Sequence, residues 1–387
     1  MNIKELRNKD ELVDLFCCLA EIPSPSLHEE KVIKWICNYC QNNDLKCETD
    51  KYNNIYITLD ATDTAKKPIL LSSHMDVIGD DSPVEVYLDG NLIKAHDRTL
   101  GADNKAGVAN ALYFAAKLNK RKDLKHGGLE LHFTRDEESG MTGIKNTDFT
   151  KIKSKYVLVL DSDKLGQFMT SGASYVTAYL KVKSLKGGHS GIDIADKTRE
   201  NAAKLIADLI SEMPQGVFYS ENGNVITSCN IGGILSGDIN VTNIINTDAE
   251  ATYSIRSSRK DKEEELMDLM QESVIAFNAE YKDVGFATLN FIEKMPMFQE
   301  NEDKYLPKIF TTAAEKIGVT PEISSFHAGA ETHIYANERN AQGEIFSPYL
   351  VGLATVCNMH SNEEYVDYTT MIKGQELLEA FFEEYNK

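Results

Sequence analysis

Hydrophobic and polar positions follow two different rhythms along this chain. Residues 68–71, 129–133 and 156–160 are short, apolar and rich in β-forming side chains, and they predict buried strands. Between the first two lies an Ala-rich helical pattern over 105–118. Ser26-Leu-His-Glu29 has the spacing of a capping box and opens a run through Val32, Ile33, Ile36 and Cys37 that reads as an amphipathic helix. Strands alternating with helices in this way predict an α/β domain with a mostly parallel sheet. From about Ser174 the rhythm changes to strand 175–183, helix 199–213, strands 225–231 and 249–255, helix 262–281 and strand 286–292. That order, β-α-β-β-α-β, is the split βαβ of a ferredoxin-like domain. The α/β pattern then resumes with a helix over 305–317, a turn-rich stretch over 324–340 and a last helix over 371–385. The expectation is a catalytic domain formed by 1–173 and 295–387, with 174–294 inserted as a lid that binds substrate or dimerises.

Composition narrows the function classes. The 387 residues are 42% hydrophobic, enough for two cores, and carry 60 acidic against 41 basic side chains for a formal charge of -19. That charge is spread along the chain, so nucleic acid and anionic membrane are not expected partners. The first ten residues are too charged for a signal peptide, and no run is long enough to span a bilayer, which makes a cytoplasmic location the expectation. The odd count of seven cysteines fits reduced thiols; Cys37-Asn-Tyr-Cys40 lacks the second pair that a zinc knuckle needs.

The candidate chemistry sits at the ends of the three apolar strands: His74 and Asp76, Glu137 and Glu138, Asp161 and Asp163. Ligands bind outside the carboxyl ends of strands in open α/β sheets. With Asp103 at the start of the intervening helix, several carboxylates converge where their repulsion would be severe without a cation. A metal site, with room for two ions, accounts for the pattern. In His74-Met-Asp76 the two side chains share one side of an extended segment, so the acid can orient a ligand imidazole. The Glu137-Glu138 pair offers one carboxylate for metal and one free for proton transfer.

Leu71-Ser-Ser-His-Met-Asp76, Leu100-Gly-Ala-Asp-Asn-Lys-Ala-Gly107, Thr134-Arg-Asp-Glu-Glu-Ser-Gly140, Leu160-Asp161, Gly187-Gly-His-Ser-Gly191 and Asn358-Met-His-Ser361 occur in the order of the cocatalytic zinc exopeptidases, which the chain resembles over essentially its whole length. That family includes peptidase T, the aminoacyl-histidine dipeptidase called peptidase D, carnosinase-like enzymes and acyl-amino-acid deacylases. The resemblance implies two divalent ions, Zn2+ with Mn2+ or Co2+ as alternatives, bridged by Asp103. His74 and Asp161 would complete one, and Glu138 and His360 the other. It makes Glu137 the general base for a metal-bound water and Asp76 the partner of His74, and the Asp103-Asn104 peptide matches a bond that is cis in relatives. In the inserted domain it implies that His189 stabilises the tetrahedral intermediate and that Asn243 and Arg256 hold a substrate carboxylate.

The chain departs from peptidase T at His327-Ala-Gly-Ala-Glu331, where it looks like peptidase D. His327 and Glu331 either contact substrate or support the His360 loop. The expected activity is hydrolysis of di- or tripeptides from the amino end, because the aminopeptidase and dipeptidase branches carry Asp at the Asp161 position. The rivals are a deacylase or carboxypeptidase on the same scaffold and a metal-dependent binding protein without catalysis. The expected partners are a short peptide and, through the lid, a second copy.

Overall fold

The computed structural model describes residues 1–121, 123–301 and 303–387. Contacts divide it into two units: Met1–Thr170 with Glu300–Ser324 and Ala330–Lys387, and Ser171–Gln299 with Ser325–Gly329.

The first unit is built on an eight-stranded mixed sheet in the order Lys46–Thr49, Ile55–Leu59, Leu129–Thr134, Ile69–His74, Tyr156–Val159, Ser347–Val351, Gln167–Gly172 and Glu322–Phe326. Its four central strands, Leu129–Thr134 through Ser347–Val351, run parallel. The pairs formed by Lys46–Thr49, Ile55–Leu59 and Gln167–Gly172 are antiparallel. Every residue of Ile69–His74, Leu129–Thr134 and Tyr156–Val159 is buried, which is why these strands read as continuous rather than alternating runs. Ser347–Val351 is as deeply buried, but Pro348 disguises it, since proline ordinarily argues against a central strand. The helix Ala102–Lys120 is buried almost all round, and its small residues let it approach the sheet closely. A second, four-stranded sheet has the order Thr355–Cys357, Tyr365–Asp367, Leu92–Ala95 and Val86–Asp89.

In the other unit the strands Tyr175–Ser184, Asn224–Leu235, Asp248–Ser257 and Gly285–Met295 alternate with the helices Ala202–Ser211 and Lys260–Glu280 in the β-α-β-β-α-β order. The strand Gly216–Glu221 extends this sheet, and all its pairings are antiparallel. Val176, Ala178, Leu180 and Val182 point to one face and pack with Leu205, Leu209, Leu266 and Met270. A two-residue ribbon pairs His189 with Ile244 and Gly188 with Ile245.

Two expectations need correction. Residues 171–173, 295–299 and 325–329 belong with the second unit rather than the first. The reason is bonding: Phe298 and Gly172 exchange backbone hydrogen bonds at 2.8 and 3.0 Å, and Ala173 N–H donates to Phe326 O at 2.9 Å. The Ser26–Glu29 capping box does not form either. The helix is Glu30–Asn42 with Glu29 as N-cap and no side-chain cap. Ser26 Oγ donates instead to Asp76 Oδ2 at 2.7 Å, and Glu29 Oε1 accepts from Leu27 N–H at 2.9 Å and Asp136 N–H at 3.0 Å. Both polar groups are spent on holding the loop against the strand ends.

Candidate active site

The buried strand Ile69–His74 delivers His74 to the carboxyl edge of the sheet, and Met75 N–H donates to Thr134 O at 2.8 Å, locking it to the neighbouring strand. His74 Nδ1 lies 3.0 Å from Asp76 O and 3.3 Å from Asp76 Oδ1. That leaves Nε2 to face Asp103 Oδ1 at 3.3 Å and Asp161 Oδ1 at 3.5 Å. His360 repeats the arrangement: its Nε2 is 3.3 Å from Asp103 Oδ2 and 3.0 Å from Glu138 Oε1. Asp103 therefore offers one oxygen to each imidazole, and each imidazole has a second carboxylate of its own.

Local backbone produces this placement. Asp103 and Asn104 are non-helical at the opening of Ala102–Lys120, follow a left-handed Gly101, and are joined by a cis peptide. Asp136, left-handed at φ 54°, precedes Glu137 and Glu138 and accepts from the Ser139 and Thr142 hydroxyls. Asp76 accepts from Glu137 N–H at 2.9 Å and Glu138 N–H at 3.1 Å, so one carboxylate backs His74 and seats the Glu pair. Asp163 O takes Val356 N–H at 2.9 Å, and no hydrogen bond or ion pair engages its carboxylate among the described residues.

Electrostatics bear the marks of crowded like charge. Burial opposes charge on His74, but Asp161, Asp103 and Asp76 overcome it and hold the imidazole well above its ordinary value. Burial, then Asp103 and Asp161, push Glu138 up to about 7, and burial with the Asp103 charge pushes Asp161 up to about 6. The hydrogen bond to Asp103 raises His360 to about 9. Glu137 is pushed up to about 9, by burial first and then by Asp161, Glu331 and Glu138. Among the described residues none bonds its carboxyl. Glu331 is buried nearby and pushed up to about 7, by burial first.

The donor set fits divalent cations. Ligand atoms of His74, Asp103 and Glu138 lie within 4.8 Å of one another. Two imidazole nitrogens and three carboxylates suit zinc or a similar ion, and a carboxylate against the back nitrogen of His74 is the usual device for fixing its tautomer.

The substrate residues expected on the inserted segment fall into two groups within the second unit. His189 is exposed on the ribbon, its Nδ1 accepting from Gly191 N–H at 3.1 Å, and Ser190 N–H donates to Asn243 O at 3.0 Å. His189 and Asn243 are thus neighbours. Arg256 stacks over Tyr175 at 4.1 Å, and no carboxylate pairs with it among the described residues. His327 Nε2 meets Ser228 Oγ at 2.7 Å, and Ser228 is the cross-strand partner of Arg256. Burial and then the Arg256 charge lower the His327 pKa. His327 is therefore bonded within this group. Sequence reasoning missed Ser26, Asp136 and Glu364 as parts of the site; only Glu364, four residues beyond His360, carries a spacing signal.

All seven cysteines are free. Cys47 Sγ lies 3.6 Å from Cys37 Sγ, so the Cys37-Asn-Tyr-Cys40 segment meets a third thiol. Among the described residues no helix is long and apolar enough to cross a membrane.

An α/β sheet with this donor set at its carboxyl edge points to the hydrolases. The chain belongs to peptidase family M20/M25/M40, whose sequence pattern matches residues 70–384, and so to enzymes that cut peptide bonds. It is 32% identical over 213 residues to the cytosol non-specific dipeptidase of Escherichia coli, a match covering 47% of this chain and 43% of that enzyme. It is 25% identical over 306 residues to peptidase T of Alkaliphilus oremlandii, covering 78% of this chain and 69% of the relative. The crystal structure of aminopeptidase PepT from Bacillus cereus superposes with a TM-score of 0.85 at 25% identity, over 97% of this chain and 98% of that one.

Proposed function

We propose that this peptidase acts on di- and tripeptides from the amino end, with two divalent ions held by His74, Asp103 and Asp161 on one side and by Asp103, Glu138 and His360 on the other. The observation that carries the reading is the division of Asp103, one oxygen to each imidazole, with a further carboxylate for each. When bound, such ions polarise a scissile carbonyl and bring the pKa of water toward neutrality.

The rest falls to the chain's own groups. Glu137 is the general base: its carboxyl is unbonded among the described residues, while its backbone is fixed by Asp76. It takes the proton of the attacking water and returns it to the leaving amine, so one carboxyl serves both half-steps. Asp76 keeps the His74 ring in the tautomer whose Nε2 faces the ions. We assign His189 to the developing oxyanion, and Asn243 and Arg256 to the terminal carboxylate. Arg256 suits that role because no carboxylate of the described residues occupies its planar fork. His327 supports that group through Ser228.

A screen of free, N-acetylated and C-amidated di- and tripeptides, with zinc, manganese or cobalt added, tests the reading. Amidating a good substrate should cost about 1.5–3 kcal/mol in kcat/KM, the worth of a hydrogen bond to a charged group, and Arg256→Ala should erase most of that difference. Faster cleavage of N-acetylated amino acids than of free peptides would replace it with a deacylase.

A further inference from the structure

The loop that carries His360 connects the strands Thr355–Cys357 and Tyr365–Asp367, and it closes where Cys357 pairs with Tyr365. Two of its non-glycine residues are left-handed, Asn358 at φ 55° and His360 at φ 61°. Such conformations persist only where the surroundings over-determine them. The His360 side chain is 52% exposed, so packing around the ring does not fix it. Glu364, at the far end of the same loop, is 1% exposed. Its Oε1 accepts from Asp103 N–H at 3.1 Å. Its Oε2 accepts from Gly101 N–H at 2.8 Å and from the Thr99 hydroxyl. The carboxylate thus binds the backbone of the very residue whose side chain faces His360, and it does so from the loop that presents His360.

We propose that Glu364 is a positioning residue that sets the distance between His360 and Asp103 and thereby holds together the metal position formed by Asp103, Glu138 and His360. This rests on the two-ion reading above. The effect is one-sided. His74 ends a fully buried strand, and its back nitrogen is held by Asp76, so that half of the site does not depend on the 358–364 loop. Asp103 itself is flanked by the buried residues Ala102 and Asn104 at the opening of the helix. Losing the Glu364 contacts therefore frees His360 first.

The test is a stepwise metal titration by chelator competition, with cobalt absorption as a second readout, on the intact protein and its variants. Unaltered protein should take two ions. Glu364→Gln replaces one acceptor with an amide that opposes the backbone N–H groups. It should keep the first ion at unchanged affinity and hold the second about 10–100-fold more weakly, the usual cost of losing an outer partner of a ligand. Thr99→Val removes a single donor and should weaken the same ion by a smaller factor. Two ions held by Glu364→Gln as tightly as before, or both lost in parallel, overturns the proposal. If Glu364→Gln does not fold, Thr99→Val decides: an unchanged second ion counts against it. Fewer than two ions in the unaltered protein would instead sink the two-ion reading itself.

Discussion

Glu137 and Glu138 are sequence neighbours with opposite employment. Glu138 faces His360, whereas the Glu137 carboxyl is left unbonded among the described residues. Glu137→Gln preserves shape and removes the proposed base, so turnover should fall at least about a hundredfold with metal content unchanged. Glu138→Gln should instead lose one ion, as metal analysis of the purified variants would show; the reverse pattern would exchange the two roles. The sequence displays this pair only through its position after a buried strand, since a bare Glu-Glu is more often a solvated loop. What it does not display is the scaffolding: that Asp76 reaches the Glu137 and Glu138 amides, and that Ser26 reaches Asp76, are contacts 50 to 62 residues apart in the chain. Local pattern carries no signal at that separation. Ser26 misleads for the same reason, because its capping spacing is satisfied by a tertiary partner instead.

Among the elements, the helix Ala102–Lys120 packs tightly at Gly107. A Cβ added at Gly107 would stand 2.4 Å from Leu160 O, a backbone atom that cannot yield without moving Asp161, and 2.4 Å from Asn104 Oδ1. Gly107→Ala should therefore destabilise the protein by about 1–3 kcal/mol in denaturant unfolding and loosen metal as well. A variant that kept full stability and tight metal would show that the helix has room to shift. The buried parallel strands were legible because burial on both faces leaves continuous apolar runs, and the helices because their apolar positions recur at helical spacing. Strands that escaped notice had physical reasons to do so. Ser347–Val351 contains a proline, Gly216–Glu221 is largely exposed and has no clean alternation, and the ribbon through His189 is two residues long on each side. The His189 ribbon is also why Asn243 and His189, 54 residues apart by number, could be linked from sequence only through resemblance.

For the whole molecule, the raised carboxyls make a prediction about pH. Glu137 near 9, Glu138 near 7 and Asp161 near 6 all lie above their unfolded values, so at these groups the ion-free fold binds more protons than the unfolded chain. His74 and His360 are raised too and act in the same direction. The stability these groups contribute to the ion-free protein should be full below about pH 4 and be lost as pH rises toward about 9. Metal should reverse this, since ligands bind it deprotonated, and loading should release protons. Thermal midpoints of chelator-treated and zinc-loaded protein at about pH 6 and 8.5 check it: the gap between them should widen at the higher pH. An equal gap at both would mean that the carboxyls are not proton-loaded without metal. The ligands' places along the chain have one more consequence. His74, Asp103 and Asp161 all precede the second unit, which begins at Ser171, while His360 follows it. On the proposed two-ion reading, one ion's ligands are all synthesised before the second unit, whereas the other's lack only His360 until a further two hundred or so residues are made. Ser347–Val351, which pairs with the strand leading to Asp161, is made as late as His360, so on that reading maturation of the whole site would await the last part of the chain.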